Sequence, residues 1–224
     1  MIKPYYEEKD ITIYHGDCLE IMKELPDKSI DLVLTDPPYG IGFKAKGYAD
    51  IDENNYLTVL NLFNDFKKAF ISYPEESMKY FVKAWGCPDE VLAWCYNSNI
   101  SRQFRLVNIY GSNVNYSLEK QKCKNPNDER VNEFVDMYDW FCDIQLVKNV
   151  SNEKTDHPCP VPVKLMSRIV KLTDSYYVLD PFLGSGTTAV ACKELNRKCI
   201  GIEISEKYCE IAVKRLKNTI KPMF

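Results

Sequence analysis

"YYVLDPFLGSGTTAVACKEL", residues 176–195, decides the fold. An apolar run of strand type ends on Asp180, a turn bearing Gly184 and Gly186 follows, and a helix of small residues begins. Glycine permits both a tight turn and close approach of backbone to a ligand. Nineteen residues beyond Gly184, at the end of the next strand-like run "KCIGIE", stands Glu203. That spacing suits a carboxylate accepting hydrogen bonds from both hydroxyls of a ribose. The turn lacks the lysine of a Walker loop and is not a complete G-x-G-x-x-G, so a pyrophosphate is not implied. What remains is an adenosine-bearing ligand. A bland alternative is a plain strand–turn–helix corner, with Glu203 an ordinary surface acid. Two acids, Asp180 and Glu203, both closing strands, argue against it.

Outward from this unit, strand-like and helix-like runs alternate, which predicts an α/β domain: a doubly wound, mainly parallel sheet. "ITIY" (11–14) leads through Gly16 and Asp17 into the helical "CLEIMKEL". "DLVLT" (31–35) is a strand, 57–85 reads as helical with an interruption at "YPEE", and "VLAWCY" (91–96) is a strand. "SRQFRLVNIY" reads as a short helix, 111–139 as polar and irregular, and "DIQLV" (143–147) as a strand. "HPCPVP" (157–162) is an extended approach to the helix "VKLMSRIVKLT", and "SEKYCEIAVKRLKN" is the final helix. With Glu20 three residues on, Asp17 either caps its helix or contacts a ligand.

The chain has 224 residues, 45% hydrophobic and 27% charged, enough for one well-buried domain with an insertion. No apolar run reaches the roughly 18 residues needed to span a bilayer. The opening "MIKPYYEEKD" is too polar and acidic for a signal peptide. Nine cysteines with no C-x-x-C pair, and two histidines, argue against a disulfide framework or a zinc site. The expectation is a cytoplasmic protein with no metal. A net charge of −3 does not advertise a nucleic-acid binder. Yet residues 98–130 hold six basic side chains, among them Arg102, Arg105, Lys120, Lys122 and Lys124, against three acidic. Such a stretch is either a contact surface for phosphates or a solvated face.

A second stretch carries the chemistry: "DLVLTDPPYG", residues 31–40. Here a buried strand stops on a carboxylate, Asp36, and two prolines then hold the chain rigid. Asp36, Asp180 and Asp17 all follow strands, and ligands of open α/β sheets gather outside the carboxyl ends of strands. One crevice can therefore collect them.

"DPPY" after an apolar strand, with "DPFLGSGTT" and a downstream acidic strand end, resembles the amino-methyltransferases of DNA. By chance "DPPY" falls in on the order of one in a thousand chains this long, so coincidence is a poor rival. The order also matches the circularly arranged class called β: catalytic motif, variable recognition segment, "HPCPVP", cofactor motif. "KNPNDER" and the stretch from "YDWFCDIQ" to "HPCP" are similar to those of small phage-type members.

The resemblance implies a Rossmann-like, S-adenosylmethionine-dependent fold over residues 1–224, with target recognition in 98–140. It implies transfer of a methyl group to the N6 amine of adenine in double-stranded DNA. Relatives acting on cytosine N4 usually carry Ser where Asp36 stands, and those acting on glutamine begin with Asn. Cytosine-N4 methylation and a non-catalytic binding subunit stay as alternatives, and a homodimer and a cognate restriction endonuclease stay open. Asp36 and the Pro37 carbonyl are expected to accept from the amine, Pro38 to stiffen the clamp and Tyr39 to stack on the flipped base. Asp180, Phe182, Gly184, Ser185, Gly186 and Thr187 are expected to hold the methionine half of the cofactor, Glu203 its ribose and Asp17 its adenine amine. Arg102, Arg105, Lys120, Lys122 and Lys124 are the expected DNA contacts, the first two at helical spacing. Many relatives carry "HPTQKP" where this chain has "HPCPVP". Their lysine falls on Val161, and Lys164 is the nearest substitute cation.

Overall fold

Apolar side chains fill both faces of the central strands. Leu32 and Leu34 belong to one buried cluster and Val33 to another. A strand covered on both sides is the signature of a parallel sheet with helices above and below. The computed structural model describes residues 2–25, 30–38, 53–97, 103–123, 127–147, 153–157 and 160–220. In chain order, β1 (Tyr6–Glu8), β2 (Ile11–His15), α1 (Cys18–Ile21), β3 (Leu32–Thr35), α2 (Glu53–Asn61) and β4 (Lys68–Ser72) come first. Next, α3 (Pro74–Glu76) runs through a π-helical turn, Ser77–Phe81, into α4 (Val82–Trp85). Then follow β5 (Glu90–Cys95), β6 (Phe104–Tyr110), β7 (Lys120–Lys122), β8 (Phe134–Asp136) and β9 (Trp140–Phe141). The chain closes with α5 (Val163–Leu172), β10 (Tyr177–Asp180), α6 (Thr187–Glu194), β11 (Lys198–Glu203) and α7 (Glu206–Asn218).

The large sheet runs β1-β2-β11-β10-β3-β4-β6-β5-β9. From β2 to β4 five neighbouring strands are parallel, while β6 is antiparallel to both β4 and β5. Residues of α5, α6 and α7 pack on one face, those of α1 and α2 with Tyr80 and Phe81 on the other. The sheet is doubly wound, as expected. No helix among the described residues is long and apolar enough to cross a membrane.

Four stretches differ from the sequence reading. Residues 57–85 are not one helical region, because the fully buried β4 interrupts them. A short continuous apolar run has no periodicity that separates strand from helix. Lys68 within it disguised the strand further. Its ammonium is buried and donates to the carbonyls of Phe63, Asn64 and Phe66 at 2.7, 3.2 and 3.0 Å. Within "SRQFRLVNIY", Phe104–Tyr110 form a strand, β6, not a helix: pairing on both edges with β4 and β5 decides it, and residues 101–102 lie outside the described residues. "DIQLV" is not a strand. The chain pairs earlier, at Trp140–Phe141, and Ile144 is held by its carbonyl, which accepts from the Trp94 indole at 2.7 Å. The stretch 111–139 contains the small antiparallel pair β7–β8 rather than irregular chain alone.

Candidate active site

The strand order reverses its winding at β10 and β3. From β10 the chain moves outward to β11, from β3 outward to β4 on the other side. A crevice opens at such a switch point, outside the carboxyl ends of the strands. Asp180 closes β10 and Asp36 follows β3, and in register Leu179 faces Val33.

Asp180 is fully inside the protein and both its oxygens are engaged. Oδ1 accepts from the Thr35 hydroxyl at 2.7 Å and from the Phe182 N–H at 3.1 Å, and Oδ2 from the Thr188 hydroxyl at 2.5 Å. Burial pushes its pKa up to about 6, while those donors pull the other way. Asp180 therefore ties together the end of β3, the cofactor-type turn and the start of α6.

The turn itself uses two left-handed glycines, Gly184 at φ +53° and Gly186 at +85°. The Gly184 N–H donates to Glu203 Oε2 at 2.8 Å, and the Ser205 N–H to Oε1 at 2.8 Å. The Gly16 N–H reaches the Glu203 carbonyl at 3.0 Å, so three strand ends meet at this residue. Burial raises the Glu203 carboxyl, opposed by those backbone donors. Asp17 caps α1, its carboxylate accepting from the Leu19 N–H at 2.9 Å. The capping alternative is thus observed, at a residue two beyond His15, which pairs in register with Glu203.

Buried Ser185 and Thr187 are gripped by Arg215 of α7, which sequence reading missed. Its Nη1 donates to the Ser185 carbonyl at 2.8 Å, the Ser185 hydroxyl at 3.2 Å and the Thr187 hydroxyl at 3.0 Å. His157 from "HPCPVP" lies over the same turn, packed edge-on against Tyr208 with ring centroids 4.8 Å apart. Val161 is buried. Lys164 is drawn away to Asp143 at 2.6 Å, where Arg168 also binds. Together the two cations hold the Asp143 carboxyl well below its usual range.

Asp36 is not alone either. Arg105 Nη1 donates to its Oδ2 at 2.9 Å. Arg105 was expected as a DNA contact at helical spacing from Arg102, but it lies buried in β6, its guanidinium bonded to the acid. A charged residue inside the apolar run "FRLVNIY" was the available signal, since a buried strand tolerates a charge only when it is paired. Pro37 and Pro38 are buried. Lys120 pairs with Asp136 across the β7–β8 hairpin, and the Lys122 ammonium lies 6.0 Å from the Phe134 ring centre. Tyr39, Arg102 and Lys124 lie outside the described residues.

The residues present are compatible with S-adenosylmethionine: a left-handed glycine turn beside a buried carboxylate, Glu203, and a further carboxylate, Asp17, at the strand ends. A model of the N6_N4_Mtase family, "DNA methylase", matches residues 63–214. The chain is 29% identical over 263 residues to the type II methyltransferase M.ScaI of Streptomyces caespitosus, covering 99% of this chain and 86% of that protein. It is 27% identical over 244 residues to the DNA adenine methyltransferase YhdJ of Escherichia coli, covering 92% and 82%. The solved complex of M1.HpyAVI with S-adenosylmethionine superposes with a TM-score of 0.58 at 25% identity, over 92% of this chain and all of that one. Glycine turn, acidic strand ends and strand order thus agree with the sequence comparison, and the chain belongs to the N6/N4 DNA methylase family, enzymes dependent on S-adenosylmethionine.

Proposed function

We propose that this protein methylates the N6 amine of adenine in double-stranded DNA, acting on a base swung out of the helix. The observation that carries the reading is a carboxylate, Asp36, at the end of β3, tied through Thr35 to the cofactor turn of the neighbouring strand. YhdJ, a DNA adenine methyltransferase, supports adenine as the base. So does the acid itself, where relatives acting on cytosine usually carry serine. That M.ScaI is a type II methyltransferase favours a role in restriction–modification.

Glu203 holds the ribose of the cofactor, Asp17 its adenine amine, and the turn 182–187 its methionine half. Asp180 acts through that turn, because its oxygens are taken up by Thr35, Thr188 and the Phe182 N–H. When bound, S-adenosylmethionine supplies a sulfonium methyl; its S–C bond breaks with both electrons kept by sulfur as the nitrogen lone pair forms the new C–N bond.

An aromatic amine is a weak nucleophile because its lone pair is delocalised into the ring. Asp36 and the Pro37 carbonyl accept its two N–H groups, which favours a pyramidal nitrogen and stabilises the positive charge that develops there. The surplus proton leaves along the hydrogen bond to Asp36 and on to water. Pro37 and Pro38 restrict the backbone, so little reorganisation accompanies the step. Tyr39 gives the flipped base a stacking face. Residues 98–140 read the target. Their hairpin β7–β8 and the chain leading from it into β9 present Phe134, Tyr138 and Trp140 to solvent, while Lys120 and Arg130 are paired with Asp136 and Asp128.

Nucleoside mass spectrometry on unmethylated DNA incubated with protein and cofactor tests this, with Asp36→Ala as control. N6-methyladenine absent from the control is the expected result. N4-methylcytosine would replace the base, and no methylated nucleoside despite cofactor binding would overturn the reading.

A further inference from the structure

Four neighbouring strands each contribute one residue to a cluster around the Asp36–Arg105 pair. Asp36 follows β3, Tyr73 follows β4, Arg105 is the second residue of β6 and Trp94 lies in β5. Arg105 reaches across the end of β4 to donate to Asp36 Oδ2 at 2.9 Å, and its Nη2 lies 3.4 Å from the Tyr73 hydroxyl. The side chains of the ion pair are only 11% and 17% exposed. The guanidinium carbon stands 4.8 Å from the centre of the Tyr73 ring and 5.7 Å from that of Trp94. Trp94 is itself fully buried and pinned by its bond to the Ile144 carbonyl.

This arrangement has a consequence for the reaction. A carboxylate at a strand end has a broad χ2 and can turn its acceptor edge away from a substrate. A charge-assisted bond to one oxygen selects one orientation. Arginine suits the task because its plane stacks on aromatic faces, which a lysine ammonium cannot do. Its burial between rings also sets it apart from an arginine that grips DNA phosphates on the surface.

We propose that Arg105 is the positioning residue of Asp36: it anchors Oδ2 against the Tyr73 and Trp94 rings, so that the carboxylate is presented to the amine being methylated. The proposal rests on Asp36 as the amine acceptor. Arg105→Gln and Arg105→Lys are compared with wild type for kcat, from tritiated methyl incorporated into total DNA, and for cofactor Kd by calorimetry. Counting total label makes the result independent of which base is methylated.

In Arg105→Gln, kcat falls about 100-fold, the scale expected when a reacting group is misplaced, while cofactor Kd stays within about threefold. Arg105→Lys keeps the charge and a donor but loses the stacked plane, and recovers about tenfold of that activity. A Gln variant with kcat within about threefold of wild type overturns the proposal, as does a loss of kcat matched by an equal loss of cofactor affinity. If the Gln variant does not fold, the same split in the Lys variant decides. No label from wild type would sink the role of Asp36 itself, a result distinct from labelled DNA indifferent to residue 105.

Discussion

Thr35 donates its hydroxyl to Asp180 across 2.7 Å, joining the last residue of β3 to the last residue of β10. Thr35 immediately precedes the acceptor acid, and Asp180 immediately precedes the cofactor turn. On the proposed reading, one buried hydrogen bond therefore links the strand end that carries the acceptor to the turn that holds the cofactor. Thr188 and the Phe182 N–H complete the shell around the carboxylate.

Thr35→Val keeps the shape of the side chain and removes that donor. Leaving a buried acceptor short of a partner costs about 1–3 kcal/mol, to be read from the urea midpoint. Cofactor affinity should weaken as the turn loses its tie to β3. An unchanged midpoint would show that Asp180 does not need Thr35.

The pH dependence of stability follows from the same acid. Its folded-state pKa of about 6 lies above the ordinary value of 3.8, so between these two the folded protein holds the proton more strongly than the unfolded chain. Asp180 therefore lowers stability at neutral pH, by roughly 3 kcal/mol, and this cost is relieved as pH falls from about 6 toward 4. Asp180→Asn removes the titration. Wild type should gain stability relative to this variant when urea unfolding is repeated at pH 5 instead of pH 7; parallel curves would contradict the assignment.

Gly186→Ala meets two obstacles. The backbone there has φ +85°, and an added Cβ would lie 2.6 Å from Ala212 Cβ and 2.9 Å from its Cα. Either the turn or α7 must move. A loss of about 2 kcal/mol or more is expected, with cofactor binding reduced at least tenfold in calorimetry.

Arg215→Met keeps most of the stem and removes the guanidinium that joins α7 to Ser185 and Thr187. Stability should drop by about 1–3 kcal/mol, and cofactor affinity should fall while kcat at saturation changes little. A change confined to kcat would mean that Arg215 supports the chemistry rather than the turn.

Asp36 and Asp180 were legible along the chain because each follows an apolar run and precedes proline, and Glu203 because it closes an apolar run nineteen residues after Gly184, all local signals. The glycine turn was legible because two left-handed positions leave little choice of residue. Alternation of strand and helix predicted a doubly wound sheet, while the point where its winding reverses, between β10 and β3, came only from the strand order. Strands β4 and β6 were not legible. Short runs of five to seven residues form either element, and only their partners select one: β3 and β6 for β4, and β4 together with β5 for β6.

Local residue order therefore determined which acids and glycines stand at strand ends, and so the class of chemistry. Tertiary structure alone decided what touches them. Arg105 meets Asp36 across 69 residues, Thr35 meets Asp180 across 145, and Arg215 meets Ser185 across 30. Hydrogen bonds at such separations exist only once strands are in register. The energy that makes a buried charge tolerable comes from a partner that no local pattern can name.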